Sequence, residues 1–186
     1  MKPASAWLAV CALLAGGALV GHALPHQALS WHAAAPAQAW RWWTAAFVHW
    51  SHWHLAANLM GLALVAALGR AAAAPASSAR AWLLAWPSTH LALLLRPDLI
   101  EYGGLSGVLH AGVAVLGCHL ASRHNGRNRH IGAALLAGMG LKLLLEAPWG
   151  PPLRHPPDWD IAIAPFAHAT GAIAGVIAAL LLDRRR

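Results

Sequence analysis

Two short segments of the chain hold side chains whose types and spacing suit acyl-transfer chemistry. His54 and Asn58 are four residues apart, so on a helix they share one face and can donate hydrogen bonds to the same neighbour. Ser106 lies between Gly104 and Gly107, which leaves its hydroxyl uncrowded. A helix that begins at this serine would also surround it with free backbone N–H groups. Together these groups would supply a nucleophile and the donors of an oxyanion hole.

A third segment presents a histidine on a helix face suited to close contact. Gly171 and Gly175 form a Gly-x-x-x-Gly pattern, and His168 precedes Gly171 by three residues, on nearly the same face. This histidine would act as the base for a serine nucleophile. No acidic residue is clearly placed to orient it, so the simplest expected arrangement is a Ser106–His168 dyad. The Gly-x-Ser-x-Gly pattern of the α/β-hydrolases is absent, because the sequence around the serine reads Gly-Leu-Ser-Gly-Val.

Each segment also has a purely structural interpretation: a serine that caps a helix after a glycine turn, a buried histidine, or polar side chains that join neighbouring helices. A metal site is a further alternative, since His49, His52 and His54 are closely spaced. However, the His-Glu-x-x-His pattern of zinc hydrolases does not occur, and Cys11 and Cys118 are the two cysteines, both inside apolar runs. We therefore predict no metal and no cofactor.

The composition indicates that membrane helices position these residues. Of the 186 residues, 59% are apolar and 10% are charged, whereas an average soluble domain carries roughly 25% charged residues. So few charges exclude a cytosolic enzyme of this size and a disordered chain. The net charge of +7 would ordinarily suggest nucleic-acid binding. Here the basic residues follow the loops between apolar stretches, so we expect no nucleic-acid partner and contact with a lipid bilayer instead.

Six stretches approach the roughly 17–25 apolar residues that a membrane-spanning helix needs. They are Ser5–Gly21, Trp53–Gly69, Ala79–Leu95, Leu105–Ala121, Ile131–Leu145 and Ile161–Leu182. We therefore predict an all-α fold: a polytopic bundle of six transmembrane helices that forms one domain over residues 1–186. As an alternative, the first stretch is a secretory signal peptide, and its removal would leave five spans.

The distribution of basic residues predicts the orientation in the membrane. Nine are expected on one side: Lys2, Arg70, Arg80, Arg123, Arg127, Arg129, Arg184, Arg185 and Arg186. The opposite loops hold Arg41, Arg96 and Arg154. The positive-inside rule then puts both chain ends in the cytoplasm and the three polar segments near the outer face. Tryptophans in and beside the first outer loop (22–50) are expected to lie at the membrane interface.

The ordered motifs resemble the rhomboid family of intramembrane serine proteases. Trp40-Arg41 resembles the Trp-Arg element of the family's first loop. His49, His54 and Asn58 reproduce the His-x4-His-x3-Asn pattern of its second helix. The order of these motifs along the chain matches the order in which rhomboid helices carry them.

Two further motifs match the nucleophile-bearing fourth helix and the base-bearing sixth helix of the family: Gly104-Leu105-Ser106-Gly107 and His168-x2-Gly171-x3-Gly175. The resemblance implies that Ser106 is the nucleophile and His168 the base. It also implies that His54 and Asn58, with the backbone N–H of Ser106, form the oxyanion hole. The sequence departs from many rhomboids at His110, where they carry a tyrosine that packs beside the catalytic histidine.

The compact six-span chain and the run from Gly104 to His110 resemble rhombosortase, a bacterial rhomboid subgroup. This resemblance implies a protease of the bacterial inner membrane whose active site opens to the periplasm. Its substrates would be membrane-anchored proteins with a C-terminal GlyGly-CTERM tail: a glycine-rich motif, a transmembrane helix and a basic end. Span five, followed by a proline-rich loop (148–157), is a candidate gate for lateral substrate entry.

Two other functions stay open at the level of sequence. One is a catalytically inactive rhomboid-like protein that binds membrane clients. The other is a small transporter or metal-binding membrane protein that uses the histidines of the second span.

Overall fold

A computed structural model describes residues 4–122, 126–157 and 160–182 of the chain. The described part is mostly helical. Its helices are α1 (Ser5–His22), α2 (His26–Leu29), α3 (Arg41–Thr44), α4 (His52–Ala71), α5 (Ala76–Leu91), α6 (Ser106–Ala121), α7 (Gly126–Glu146) and α8 (Pro165–Leu182). Short 3-10 helices cover Ala45–Phe47 and Ala92–Leu95. Two short strands, β1 (Trp31–His32) and β2 (Glu101–Tyr102), form one antiparallel pair.

The six long helices coincide with the six predicted spans. Within the described residues, α1, α4 and α8 are long and apolar enough to cross a membrane, and α6 is a shorter apolar helix of 16 residues. The predicted all-α polytopic bundle is confirmed. The predicted ends differ by three residues or more at three helices: α5 covers Ala76–Leu91 rather than Ala79–Leu95, α7 begins at Gly126 rather than Ile131, and α8 begins at Pro165 rather than Ile161. Proline suits the first position of a helix, because its missing N–H would have no partner there.

Tryptophan side chains fill the space between the helices at the core. Trp7 of α1 stacks on Trp82 of α5, with ring centroids 4.4 Å apart. The indole of Trp7 donates to the Val65 carbonyl oxygen of α4, and that of Trp82 donates to the Val108 carbonyl oxygen of α6. These contacts join α1, α4, α5 and α6. The residues of α6 are mostly buried.

Glycines set the close approach of α6 and α8. A Cβ at Gly171 would overlap the Gly107 carbonyl oxygen, and one at Gly175 would overlap the Ala111 carbonyl oxygen. A Cβ at Gly107 would lie 2.8 Å from the Ala167 carbonyl oxygen. Because no side chain separates the two backbones here, residues next to these glycines can meet directly across the interface.

The loop 22–50, which the sequence predicts as the first outer loop, folds over one end of the helix bundle. β1 pairs with β2 through Trp31 and Tyr102, and both side chains are buried. The guanidinium of Arg41 donates to the carbonyl oxygens of Gln27 and Ser30 and so fastens the loop to itself. The loop therefore positions β2, which leads directly into Gly103 and Ser106.

The predicted orientation depends in part on residues that lie outside the described part of the chain. These are Lys2, Arg123, Arg184, Arg185 and Arg186, together with Asp158 and Trp159 of the predicted last outer loop. The orientation itself therefore stays a prediction from the sequence.

Candidate active site

Ser106 is the first residue of α6, where a glycine turn delivers the chain from β2. Gly104 has φ +148°, a backbone conformation that residues with a side chain rarely adopt. Its N–H donates to the Ala45 carbonyl oxygen, and its carbonyl oxygen accepts from the hydroxyl of Tyr102 at 3.1 Å. These bonds fix the turn, so the serine hydroxyl has a defined position at the helix N-terminus.

The structure brings Ser106 and His168 together. The Oγ of Ser106 lies 3.0 Å from Nε2 of His168, across the glycine-lined contact of α6 and α8. His168 is 6% exposed, whereas Ser106 is half-buried and borders a cleft. With its proton on Nδ1, the imidazole accepts a hydrogen bond from the serine hydroxyl at Nε2 and is placed to remove that proton.

An acidic residue that the sequence analysis missed lies on the other side of the imidazole. Oε2 of Glu146 lies 2.8 Å from Nδ1 of His168, and Oε1 accepts from Nζ of Lys142 at 2.6 Å. The expectation that no acid is placed beside the histidine is therefore wrong. Glu146 ends α7 and is 22 residues from His168. No local motif links the two, so their spacing in the sequence does not indicate this contact.

His110 lies against the face of the His168 ring. The two imidazoles stack with centroids 4.3 Å apart and planes 15° apart. Nδ1 of His110 is 2.7 Å from the carbonyl oxygen of Ser106, one turn earlier in α6, and so donates to it. The residue that replaces the family's tyrosine thus packs beside the candidate base.

His54 borders the same cleft from α4. Its N–H is capped by the Ser51 hydroxyl, which begins the helix. The backbone N–H of Trp50 donates to Nδ1 of His54 at 3.3 Å, so the neutral ring carries its proton on Nε2. The same ring contacts Gly104, since a Cβ there would lie 3.2 Å from Nε2. The Nε2–H donor therefore faces the turn that precedes Ser106.

Asn58 is one turn further along α4 and is 4% exposed. Its Nδ2 donates to the carbonyl oxygen of His54 at 3.1 Å. Among the described residues that line the cleft, His54 is present and Asn58 is not. The structure thus puts His54 in the cleft that Ser106 borders, and Asn58 lies one turn further along α4.

Three further predicted residues, His49, Trp40 and Arg41, lie in the loop 22–50. His49 is fully buried, and its ring lies 4.9 Å from that of His54. Burial lowers the pKa of His49 to about 4, so this ring is neutral at pH 7. Trp40 is 53% exposed. Neither Trp40 nor Arg41 is among the described residues of the cleft.

Two cavities meet the candidate residues. A cleft of about 480 Å³ is bordered by Ser106, His168, His54, the end of β2 and residues 161–164. An apolar groove of about 660 Å³ lies between α4 and α7 and reaches His110 and Lys142. The groove is lined by residues of α4, α6 and α7, whereas the cleft is lined mainly by the segments that precede α6 and α8.

The histidines considered for a metal site are otherwise engaged. Nδ1 of His52 lies 3.0 Å from Nε2 of His22, and His49 packs on His54. Within the part of the chain that the structure describes, no group of three or more histidine, cysteine, aspartate or glutamate side chains is placed to hold a metal ion.

Comparison with known proteins identifies a family for most of the chain. Residues 36–185 match the family model described as Rhomboid domain, and this range contains every candidate site residue named above. No curated protein matches the chain.

Proposed function

The chain belongs to the rhomboid family, and on this premise we propose that it is an intramembrane serine endopeptidase with Ser106 as nucleophile and His168 as base. The observation that carries the proposal is the 3.0 Å contact between Ser106 Oγ and His168 Nε2 at the edge of a cleft. A serine hydroxyl is a weak nucleophile until a neighbouring base removes its proton.

The reaction has two halves. His168 takes the proton of Ser106 as Oγ attacks the substrate carbonyl carbon, and the resulting imidazolium gives that proton to the leaving amine. The products of this half are an acyl-enzyme and the released C-terminal fragment. Water then attacks the ester with His168 again as base, which frees the N-terminal fragment and restores the serine.

The negative charge on the tetrahedral carbonyl oxygen needs donors that are fixed in advance. The backbone N–H of Ser106 lies at the N-terminus of α6, and the Nε2–H of His54 faces the turn beside it. Asn58 gives one amide proton to the His54 carbonyl oxygen and keeps a second. In this proposal His54 is the principal side-chain donor, and Asn58 both holds the helix turn and completes the hole.

The substrate would enter from the lipid through the groove between α4 and α7, while water reaches Ser106 through the outer cleft. The groove is lined by apolar residues and ends at His110, which packs on His168. α7 packs mainly on α6, and Gly132 is its buried residue among those described. A helix with so little buried surface is suited to the role of gate.

We further propose that the protein is a rhombosortase of the bacterial inner membrane, formed by a single domain with both ends in the cytoplasm and the cleft open to the periplasm. Its substrates would carry a GlyGly-CTERM tail, which the enzyme would remove. The Gly104–His110 run supports the subgroup, and the excess of basic residues at one set of loops supports the orientation.

Co-expression with a GlyGly-CTERM protein tests this function. Mass spectrometry of the substrate should show a trimmed C-terminus with the wild-type chain and with Ser122→Ala. It should show the intact C-terminus with Ser106→Ala. Ser122 is the matched control, because it follows the opposite end of α6 and its hydroxyl bonds the His119 carbonyl oxygen. Trimming by the Ser106→Ala protein would refute the assignment of the nucleophile, and an untrimmed substrate with the wild-type chain would refute the substrate class.

A further inference from the structure

The side chains beside Ser106 form a continuous chain of hydrogen bonds across three helices. Lys142 Nζ is 2.6 Å from Glu146 Oε1, Glu146 Oε2 is 2.8 Å from His168 Nδ1, and His168 Nε2 is 3.0 Å from Ser106 Oγ. The side chains of His168 and Glu146 are 8% and 16% exposed. A carboxylate so poorly hydrated interacts strongly with the imidazole that it contacts.

We propose that Glu146 is a positioning residue, which orients His168 and stabilises its protonated form, so that this site works as a serine–histidine–glutamate triad. The inference rests on the function proposed for Ser106 and His168. It differs from the dyad expected from the sequence, since it gives the histidine a fixed partner on a third helix.

For an imidazole between two helices to act as a base, its neighbours must fix the ring plane, the rotation within that plane and the nitrogen that carries the proton. The stacked ring of His110 fixes the plane of His168, at 15° between the planes. Stacking leaves rotation within that plane open and does not select which nitrogen carries the proton. A carboxylate oxygen 2.8 Å from Nδ1 fixes both, because it accepts only from a protonated Nδ1 and thereby leaves the lone pair of Nε2 for the serine.

The carboxylate is itself held in place. Nζ of Lys142, one turn earlier in α7, donates to Oε1 of Glu146, and Oε2 is left directed at His168. The guanidinium of Arg154 donates to the carbonyl oxygens of Leu145 and Glu146, which caps the end of α7. Both contacts restrict the side chain and the backbone of Glu146, as a positioning role requires.

The test measures how fast a fluorophosphonate probe labels the purified, detergent-solubilised chain, as a function of probe concentration and pH. Glu146→Gln keeps the size of the side chain and removes its charge. We expect its maximal labelling rate to fall by about 10²–10⁴-fold with little change in the half-saturating probe concentration. The acidic limb of its pH profile should move to lower pH, because an imidazole without its carboxylate is a weaker base.

Two further variants separate positioning from folding. Glu146→Asp keeps the charge on a shorter side chain, and we expect an intermediate rate with an acidic limb close to that of the wild type. Gly140→Ala changes the same helix, α7, at a position where an added Cβ meets no atom within 4 Å, and it should label at the wild-type rate. If Glu146→Gln does not fold, Glu146→Asp carries the test: a wild-type rate would overturn the inference, and a reduced rate with an unchanged melting temperature would support it.

The outcomes for the triad and for the protease are distinct. Rapid wild-type labelling that Ser106→Ala abolishes, combined with an unchanged rate and pH profile in Glu146→Gln, would overturn the role of Glu146 alone. A wild-type chain that the probe does not label would overturn the proposed function and the triad with it.

Discussion

At the scale of single residues, the site depends on where protons sit on three imidazoles. The Trp50 N–H selects the Nε2–H form of His54, and Glu146 lies where it would select the Nδ1–H form of His168. His110 donates its Nδ1–H to the Ser106 carbonyl oxygen. In the proposed mechanism the ring of His54 thus donates to the oxyanion and the ring of His168 acts as the base, although both residues are histidines.

The sequence predicted the residues whose partners lie within one helical turn or one motif. His54 and Asn58 share a face because they are four residues apart, and the glycines around Ser106 and His168 mark the close contact of two helices. Glu146 could not be predicted, because its contact with His168 depends on how the end of α7 meets α8. No local periodicity encodes that distance.

Asn58→Ala tests the oxyanion donors at this scale. We expect kcat to fall by about 10²-fold and KM to change little, since the lost donor acts mainly on the transition state. Steady-state cleavage of a membrane-anchored substrate in proteoliposomes gives both constants. Normal turnover in this variant would remove Asn58 from the site.

At the scale of helices, glycine contacts hold the side chains of Ser106 and His168 at hydrogen-bonding distance. α6 and α8 approach closely because Gly107, Gly171 and Gly175 leave no side chains between them. The Gly-x-x-x-Gly pattern predicted a close contact for α8, yet the partner helix and the register could not be predicted from one sequence. They follow from the packing of all the helices around α6.

Gly171→Ala should separate the two helices, because the added Cβ would overlap the Gly107 carbonyl oxygen. We expect a loss of about 1–3 kcal/mol in unfolding free energy and a larger proportional loss of activity. Gly16→Ala is the control, since a Cβ at Gly16 meets no atom within 4 Å. Thermal unfolding in detergent compares the two, and equal melting temperatures would contradict the close contact.

A disulfide across the lateral groove tests the proposed gate. Leu64 of α4 and Leu135 of α7 both line the groove, so each is changed to cysteine after Cys11 and Cys118 are replaced by alanine. Oxidation should slow cleavage of a membrane-anchored substrate at least several-fold and leave labelling by a small fluorophosphonate unchanged. Reduction should restore cleavage. Unaltered cleavage in the oxidised protein would show that the substrate does not enter between these helices.

At the scale of the whole molecule, hydropathy and charge predicted the six long helices but little of the outer loops. Each predicted span corresponds to a helix, because apolar runs of this length must satisfy their backbone groups internally. The β1–β2 pair and the short helices α2 and α3 were not predicted. Such short elements depend on contacts with the helix ends, among them the pairing of Trp31 with Tyr102.

The predicted orientation is tested with reporter fusions in a bacterial inner membrane. Green fluorescent protein at the C-terminal end should fluoresce, and alkaline phosphatase there should be inactive, because the basic end is expected in the cytoplasm. Alkaline phosphatase inserted in the loop 148–157 should be active. The reverse pattern would put the cleft on the cytoplasmic side.

In the proposed mechanism Ser106 is a nucleophile activated by His168, and this role is tested by mapping the residue to which a covalent probe attaches. Peptide mass spectrometry after fluorophosphonate labelling should find the adduct on Ser106 in the wild-type chain. His168→Ala should lose the adduct while its melting temperature stays within a few degrees of the wild type. An adduct on another residue, or full labelling of Ser106 in the His168→Ala protein, would contradict these roles of Ser106 and His168.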